Sequence, residues 1–259
     1  MANIESGYDI LGNIAIVKFK RGAKIGEKKK FALKFFKNNK SVRSVFEKTG
    51  KFKGRLRTLK TKFIAGENTK EALYRENGCA FRLNIDDCYF SPRLASERLD
   101  ISRKVKKGEK VLVMFGGVAP FAIIIAKLSK AGKVLSVELN RNCNKYAEQN
   151  VKMNKVNVEL VQGDVRRKVP KLREKFDRII MARPNLKDSF LDVAFPVVKK
   201  GGIIHYYGFY PEDELEEMKE LIFSEAKNAG KKIKIIGIKK AGDIGVRKFR
   251  YRADLRVLN

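Results

Sequence analysis

Long apolar runs, paired cysteines, histidines and acidic residues are all scarce in this 259-residue chain, and each shortage excludes something. No stretch approaches the roughly 20 apolar residues of a membrane-spanning helix. The start, MANIESGYDI, has no basic segment followed by an apolar one, so a secretory signal is not expected and a cytoplasmic protein is. Cys79, Cys88 and Cys143 are scattered without a CxxC pair, which suits a reducing compartment and not a structural zinc site. His205 is the only histidine, so neither a catalytic triad nor a metal centre has its partners. In GIIHYYGFY it reads as a strand residue, and the aromatic run after it as core and rim packing. No repeat and no low-complexity linker interrupts the chain.

What the chain has in excess is positive charge. Fifty-eight Lys and Arg face 29 Asp and Glu, a formal net charge of +29. Such an excess favours a polyanionic partner, because each neutralised phosphate releases condensed counterions. A lysine-rich proteome from a hot habitat is the bland alternative, but glutamate does not keep pace with lysine. Attraction to a membrane surface is a weaker rival, since no amphipathic anchor accompanies the charge. Nucleic acid is the expected partner.

The pattern changes near residue 90. Before it, NIAIVKF (13–19), GRLRTLKTKFIAG (54–66) and CAFRLNI (79–85) alternate as half-buried strands do. Between the first two, Phe31/Phe35 and Val42/Phe46 are spaced by four, which predicts one or two basic amphipathic helices interrupted at Asn38-Asn39. Residues 1–90 thus read as a small α+β module. Beyond it, predicted strands at about 110–115, 133–138, 157–161, 176–181 and 201–208 alternate with helices at about 118–130, 141–154, 186–199 and 211–229. That rhythm implies a parallel, doubly wound α/β sheet over 91–259. The end, KKIKIIGIKKAGDIGVRKFRYRADLRVL, reads as an antiparallel hairpin, the layout associated with S-adenosylmethionine-dependent methyltransferases.

In such a sheet ligands sit beyond the carboxyl ends of the strands. VLVMFGGVAPF places Gly116 and Gly117 there, where residues without Cβ permit positive φ and close backbone approach. A tight turn with nothing bound fits equally well, and the spacing does not match G-x-G-x-x-G. Glu138 ends the second strand, where a carboxylate could take both ribose hydroxyls. Asp164 ends the third, where it could accept from an adenine amino group while Val165 packs on the ring. A lone acid at such a place is otherwise a helix cap. Ala182-Arg183-Pro184 follow the fourth strand.

These motifs resemble the archaeal and eukaryotic tRNA (guanine-N1)-methyltransferases that act at position 37, beside the anticodon. The likeness runs through GYDILGNIAIVKF, KFKGRLRTLKTKFIAGE, RENGCAFRLNIDDCYFSPRLASERL and VLVMFGGVAPFAI. It implies a Rossmann-like methyltransferase domain, S-adenosylmethionine as cofactor, no metal, and a monomer acting on the anticodon stem-loop of tRNA-Phe. It also implies cofactor contacts from Arg98, Phe115, Gly116, Gly117, Glu138, Leu139, Asp164, Val165 and Pro184. By the same likeness Glu97 is the base that removes the guanine N1 proton and Arg57 the donor to the developing O6 charge. Tyr89 would meet the extruded base, with Arg93, Ala182 and Arg183 also on the substrate side.

Val113 stands where the family loop usually carries Asp. Ala182 replaces an asparagine expected to position guanine, which points to the wyosine-linked archaeal branch that methylates a ring carbon of 4-demethylwyosine as well as guanine N1. The family's small N-terminal domain is expected to be missing, the second domain starting near Met1. Two rivals stay open: an aminocarboxypropyl transferase using the same cofactor, and a tRNA-binding protein with an inactive domain. Pro120, where the former typically shows His, counts against it.

Overall fold

The computed structural model describes residues 4–182, 188–245 and 247–259. The chain divides into two compact units, Met1–Pro92 and Arg93–Asn259.

In the first unit β1 (Ile4–Leu11) and β2 (Ile14–Phe19) form a hairpin across Gly12, whose φ of +57° glycine adopts freely. A Cβ on Gly12 would also overlap the Leu73 carbonyl. Helix α1 (Ile25–Asn38) then crosses over so that β3 (Ser44–Lys48) runs parallel to β2, and β4 (Thr61–Gly66) closes the sheet antiparallel in the order β1-β2-β3-β4. Ala15, Val17, Phe19, Ala32, Phe35, Val42, Val45 and Ile64 fill the space between helix and sheet. β5 (Glu71–Glu76) and β6 (Cys79–Asn84) form a separate hairpin. Its turn is Asn77-Gly78, both at positive φ (47° and 72°), as a tight primed turn demands.

Two sequence expectations fail here, and one strand is new. Val42 and Phe46 are not helical: α1 ends at Asn38, where the Asn39 side chain and backbone both donate to the Phe35 carbonyl, and Phe46 lies in β3. Spacing by four also fits two residues on one face of an extended run, and the β-branched, aromatic SVF decides for strand. The strand expected over 54–66 begins only at Thr61. Residues 53–58 turn back on themselves, with Lys53 and Thr58 exchanging backbone hydrogen bonds. The strand Glu71–Glu76 was not anticipated.

In the second unit α2 (Ala95–Lys104) leads into β7 (Lys110–Met114), α3 (Pro120–Leu128), β8 (Lys133–Glu138), α4 (Arg141–Asn154), β9 (Glu159–Gln162) and α5 (Val165–Lys168). β10 (Phe176–Met181), α6 (Leu191–Ala194), β11 (Val198–Pro211), α7 (Leu215–Asn228), β12 (Ile233–Gly245) and β13 (Lys248–Val257) follow. The seven strands are ordered β12-β13-β11-β10-β7-β8-β9, with β13 antiparallel to both of its neighbours and the remaining pairs parallel. After β9 the chain returns to the other side of β7, so β7 and β10 flank the switch point.

The helix expected over 186–199 shrinks to α6 and one 3-10 turn, because Pro196 cannot continue a ladder and Val198 already begins β11. The core packs Leu112, Met114, Leu135, Ile179, Met181, Phe195, Tyr206 and Leu255 on the sheet. Among the described residues no helix is long and apolar enough to cross a membrane, and no cluster of His, Cys, Asp and Glu could hold a metal ion.

Candidate active site

Met114 pairs with Val137 on one side and Met181 on the other, so β7, β8 and β10 end level. The loop leaving β7 turns sharply, with Phe115, Gly117 and Ala119 all left-handed (φ 62°, 59° and 65°) and Pro120 opening α3. A proline there suits the first helical turn, where its missing N–H costs nothing. Gly116 donates its backbone N–H to the Val137 carbonyl at 3.0 Å, and a Cβ on it would overlap the Ser136 hydroxyl unless that side chain turned away.

The loop contains no acid. Val113, where a carboxylate was expected by resemblance, is fully buried in β7 among apolar strands, and a charge there would be desolvated. The loop is organised from β8 instead. Glu138 Oε2 accepts from Gly117 N and Oε1 from Asn140 N, both at 2.7 Å. Burial pushes the Glu138 carboxyl above the usual range, opposed by these backbone donors and by that of Leu139. Each carboxylate oxygen has taken one N–H and keeps a further lone pair, which suits a pair of ribose hydroxyls. Leu139 is half-buried, and its carbonyl accepts from Gln162 Nε2 at 3.3 Å.

Asp164 caps α5, its Oδ1 accepting from Arg166 N at 2.9 Å, while Val165 is buried in the core. The cap and the expected adenine contact are compatible, since a carboxylate has several acceptor sites. Ala182 follows β10, half-buried, with no polar side-chain group to offer a base. Arg183 and Pro184 lie outside the described residues.

Beyond α5 stands a clasp that no sequence motif announces. Arg166 pairs with Asp188 (2.5 Å) and Asp192 (2.6 Å), and its guanidinium lies 4.8 Å from the Phe190 ring centroid. Phe190, left-handed at φ 59°, meets Phe115 edge-on at 4.9 Å. Two bulky residues in a backbone region that disfavours them face each other, and such strain concentrates at working sites.

Glu97 sits on α2 and is 3% exposed, deeper than the partial burial expected of a base. Its Oε1 accepts from Tyr207 Oη at 2.9 Å and from the Arg252 guanidinium, and Lys239 Nζ stands 3.5 Å from Oε2. Burial and then the Glu97 charge push the Tyr207 phenol well above its ordinary value. Burial opposes the Arg252 charge, but Glu97 and Asp100, the latter at 2.7 Å, hold it protonated. Arg98 is buried beside Glu97, its guanidinium 5.9 Å from the Phe121 ring, and Arg93 is exposed at the start of the unit.

Arg252 and Tyr207 escaped the sequence reading. The available signal was RYRADLRV, where charges alternate with Tyr251, Ala253 and Leu255 in a strand covered on both faces. His205, 1% exposed, is indeed in a strand. It bridges Asp254 (Nδ1, 2.6 Å) and Arg178 (Nε2, 2.7 Å). A guanidinium only donates, so Nε2 accepts and Nδ1 carries the proton toward Asp254.

In the first unit the guanidinium of Arg57 lies 4.9 Å from the Tyr89 ring centroid and 5.5 Å from that of Phe52. Arg57 is left-handed (φ 56°), and its buried Nε has no hydrogen-bond partner among the described residues. The two residues expected to meet the base are therefore stacked on each other.

Residues 72–236 match the TRM5/TYW2 methyltransferase domain, and residues 1–69 match the TYW2 N-terminal domain. The chain belongs to the TRM5/TYW2 methyltransferase family. It is a transferase whose cofactor is S-adenosylmethionine, which the glycine cradle and the half-satisfied Glu138 carboxylate fit. One relative is tRNA (guanine(37)-N(1))-methyltransferase Trm5b of Pyrococcus abyssi, 38% identical over 98% of this chain and 76% of its own length. The crystal structure of that Trm5b superposes with a TM-score of 0.88 over the same shares. The bifunctional tRNA (guanine(37)-N(1))/4-demethylwyosine(37)-methyltransferase Taw22 of Nanoarchaeum equitans is 34% identical over 97% of this chain and 99% of its own. A Methanocaldococcus jannaschii aminocarboxypropyltransferase is 32% identical over 71% of this chain and 74% of its own. A family N-terminal domain is thus present over residues 1–69, where the resemblance had led to the expectation that the family's small N-terminal domain is missing.

Proposed function

We propose that this chain methylates the nucleoside at position 37 of tRNA, accepting both guanine N1 and the C7 carbon of 4-demethylwyosine, with tRNA-Phe as the physiological substrate. The observation that carries this reading is the cradle at the switch point, Gly116 held by the Val137 carbonyl and Gly117 by the Glu138 carboxylate, in a chain of this family. When bound there, S-adenosylmethionine supplies a methyl carbon attached to a positively charged sulfur. Gly116 and Gly117 let it approach the backbone, Glu138 takes its ribose hydroxyls, and Asp164 with Val165 takes the adenine.

At guanine N1 a new N–C bond would form as the methyl carbon's bond to sulfur breaks, that electron pair staying on the now neutral sulfur, while the N1 proton leaves. Glu97 is the acceptor for that proton, through Oε2, the oxygen that neither Tyr207 nor Arg252 occupies. Arg57, stacked on Tyr89, is the donor to guanine O6 as negative charge collects there, and its unpartnered Nε supports that role. Ala182, unable to hydrogen-bond guanine, leaves room for a tricyclic base, which supports the double acceptor range. Arg93 is proposed to hold tRNA phosphate, and Arg183 to donate to the base in place of the missing asparagine amide.

The test is nucleoside mass spectrometry of unmodified and precursor-bearing tRNA incubated with cofactor labelled separately in the methyl group and the amino-acid arm. Methyl label at position 37 of both tRNAs is expected. Arm label in the product would replace this reading with aminocarboxypropyl transfer. Product on one tRNA alone would narrow the acceptor range, and calorimetry showing no cofactor binding would leave an inactive tRNA-binding domain.

A further inference from the structure

Within the first unit, a groove of about 830 Å³ opens between the start of α1 and the segment that follows β2. Its floor is aromatic: Phe19 and Phe35 are buried, and the half-buried Phe31 ring lies 5.6 Å from Phe19 and 5.5 Å from Phe35, centroid to centroid. Its rim is cationic, with Arg21, Lys30 and Lys34 all exposed. The two nearby charges that are spoken for lie elsewhere in the balance. Lys28 is paired with Glu47 at 2.6 Å, and Glu27, the acid lining the groove, turns its carboxylate back to the Lys24 backbone N–H at 2.8 Å. Among the described residues Arg21, Lys30 and Lys34 have no acidic partner.

Three uncompensated cations around an aromatic floor, in a volume larger than a nucleotide needs, are the parts list of a single-strand pocket: charge for the backbone, a ring face for the base. We propose that this groove binds an unstacked nucleotide of the tRNA, its base against Phe31 and the adjoining phosphates on Arg21, Lys30 and Lys34. The proposal rests on the tRNA reading above, but it concerns a nucleotide other than the one being modified. The groove belongs wholly to residues 19–38, whereas the cofactor cradle belongs to the second unit.

The chain contains no tryptophan, so one introduced at Phe31 reports on this ring alone. In full-length protein carrying Phe31→Trp, titration with tRNA is expected to quench the emission along the same curve as filter binding. Phe223→Trp, at an exposed position on α7, is the control and is expected to stay bright. Unchanged emission from position 31 at concentrations where tRNA is bound would overturn the proposal. So would emission that varies with protein concentration without tRNA, the sign of a second copy in the groove.

Phe31→Leu keeps the apolar volume and removes the ring, and is expected to weaken tRNA binding about tenfold, within the range of one lost stacking contact. Replacing Arg21, Lys30 and Lys34 by Gln should lower the log–log salt slope of binding by about 2, at roughly 0.7 per single-strand phosphate. An unaltered slope would overturn the assignment. Quenching and slope are read without turnover, so a groove that binds in a protein that fails to methylate position 37 separates the two ideas.

Discussion

The two units handle charge in opposite ways. The second hides it: Glu97, Arg98, Arg178, His205 and Arg252 are each 1–3% exposed, and Glu97, Arg178, His205 and Arg252 form one connected chain from Tyr207 to Glu109. The first displays it: around α1 Arg21 and every lysine but the Glu47-paired Lys28 face water, and Arg21, Lys30 and Lys34 have no acidic partner among the described residues. A buried ion pair contributes little net stability but is costly to break, whereas an unpaired surface cation stabilises nothing in its own molecule. Charge in the second unit therefore fixes geometry, and charge in the first awaits a polyanion.

The sharpest way to break that contrast is at Glu97, the one buried charge proposed to do chemistry as well. Glu97→Gln keeps the shape and the ability to accept from Tyr207, and loses the proton acceptor. Single-turnover rates should fall by about 10²–10⁴-fold, the usual worth of a general base, while cofactor affinity measured by calorimetry holds. If the rate is unchanged and only the unfolding midpoint drops, Glu97 belongs with the purely structural charges.

Arg252→Ala should follow in size. It leaves Glu97 buried without its guanidinium, and losing one partner of such a pair costs about 3–5 kcal/mol of folding stability. Urea unfolding measures it; a loss below about 1 kcal/mol would mean that water reaches Glu97 and the pair is not desolvated. Lys219→Ala, on α7 with Glu216 three positions earlier at 2.6 Å, provides the surface reference expected to change little.

The pH dependence of stability separates the buried chain from the proposed cofactor cradle. Burial holds His205 below its ordinary value, against the pull of Asp254, with Arg178 and Arg252 also opposing protonation. The unfolded chain then binds a proton that the native one refuses, so this group's contribution is complete above about pH 6.5 and shrinks as pH falls below it. Glu138, raised by burial, acts with the opposite sign, its cost to stability growing as pH rises above the usual carboxylate range. The quantity to measure is the difference between wild type and His205→Gln, in which Glu138 cancels. A difference that stays flat between pH 7 and 5 would show that the imidazole is not held neutral.

How much of this was legible in the sequence differs between the units for a physical reason. In the second, strands buried on both faces are apolar throughout and helices alternate with them, so VLVMF, KVLSVE and FDRIIM declare themselves. The acids at their ends, Glu138 and Asp164, follow from the topology. In the first, short half-buried segments leave period two and period four hard to tell apart, which is how Val42 and Phe46 were read as helical. Asn77-Gly78 did signal a hairpin, and went unused beside the stronger strand 79–84. The Arg252–Glu97 pair was out of reach, because a separation of 155 positions is closed only by the antiparallel return of β13.

The smallest predicted effect tests whether a surface charge in the second unit still shapes a site. Arg166 is 39% exposed at its side chain, so each of its ion pairs should stabilise the fold by less than about 1 kcal/mol. Its consequence lies in holding Phe190 against Phe115, the residue that opens the loop proposed to hold the cofactor. Arg166→Gln should therefore leave the unfolding midpoint nearly unchanged and raise the KM for cofactor severalfold with little change in kcat, an effect that added salt imitates in the wild type by screening the same pairs. Equal losses in kcat and kcat/KM would instead place Arg166 at the transition state. An unchanged KM would reduce the clasp to one more exposed salt bridge and leave the strain at Phe115 to be balanced by the sheet alone.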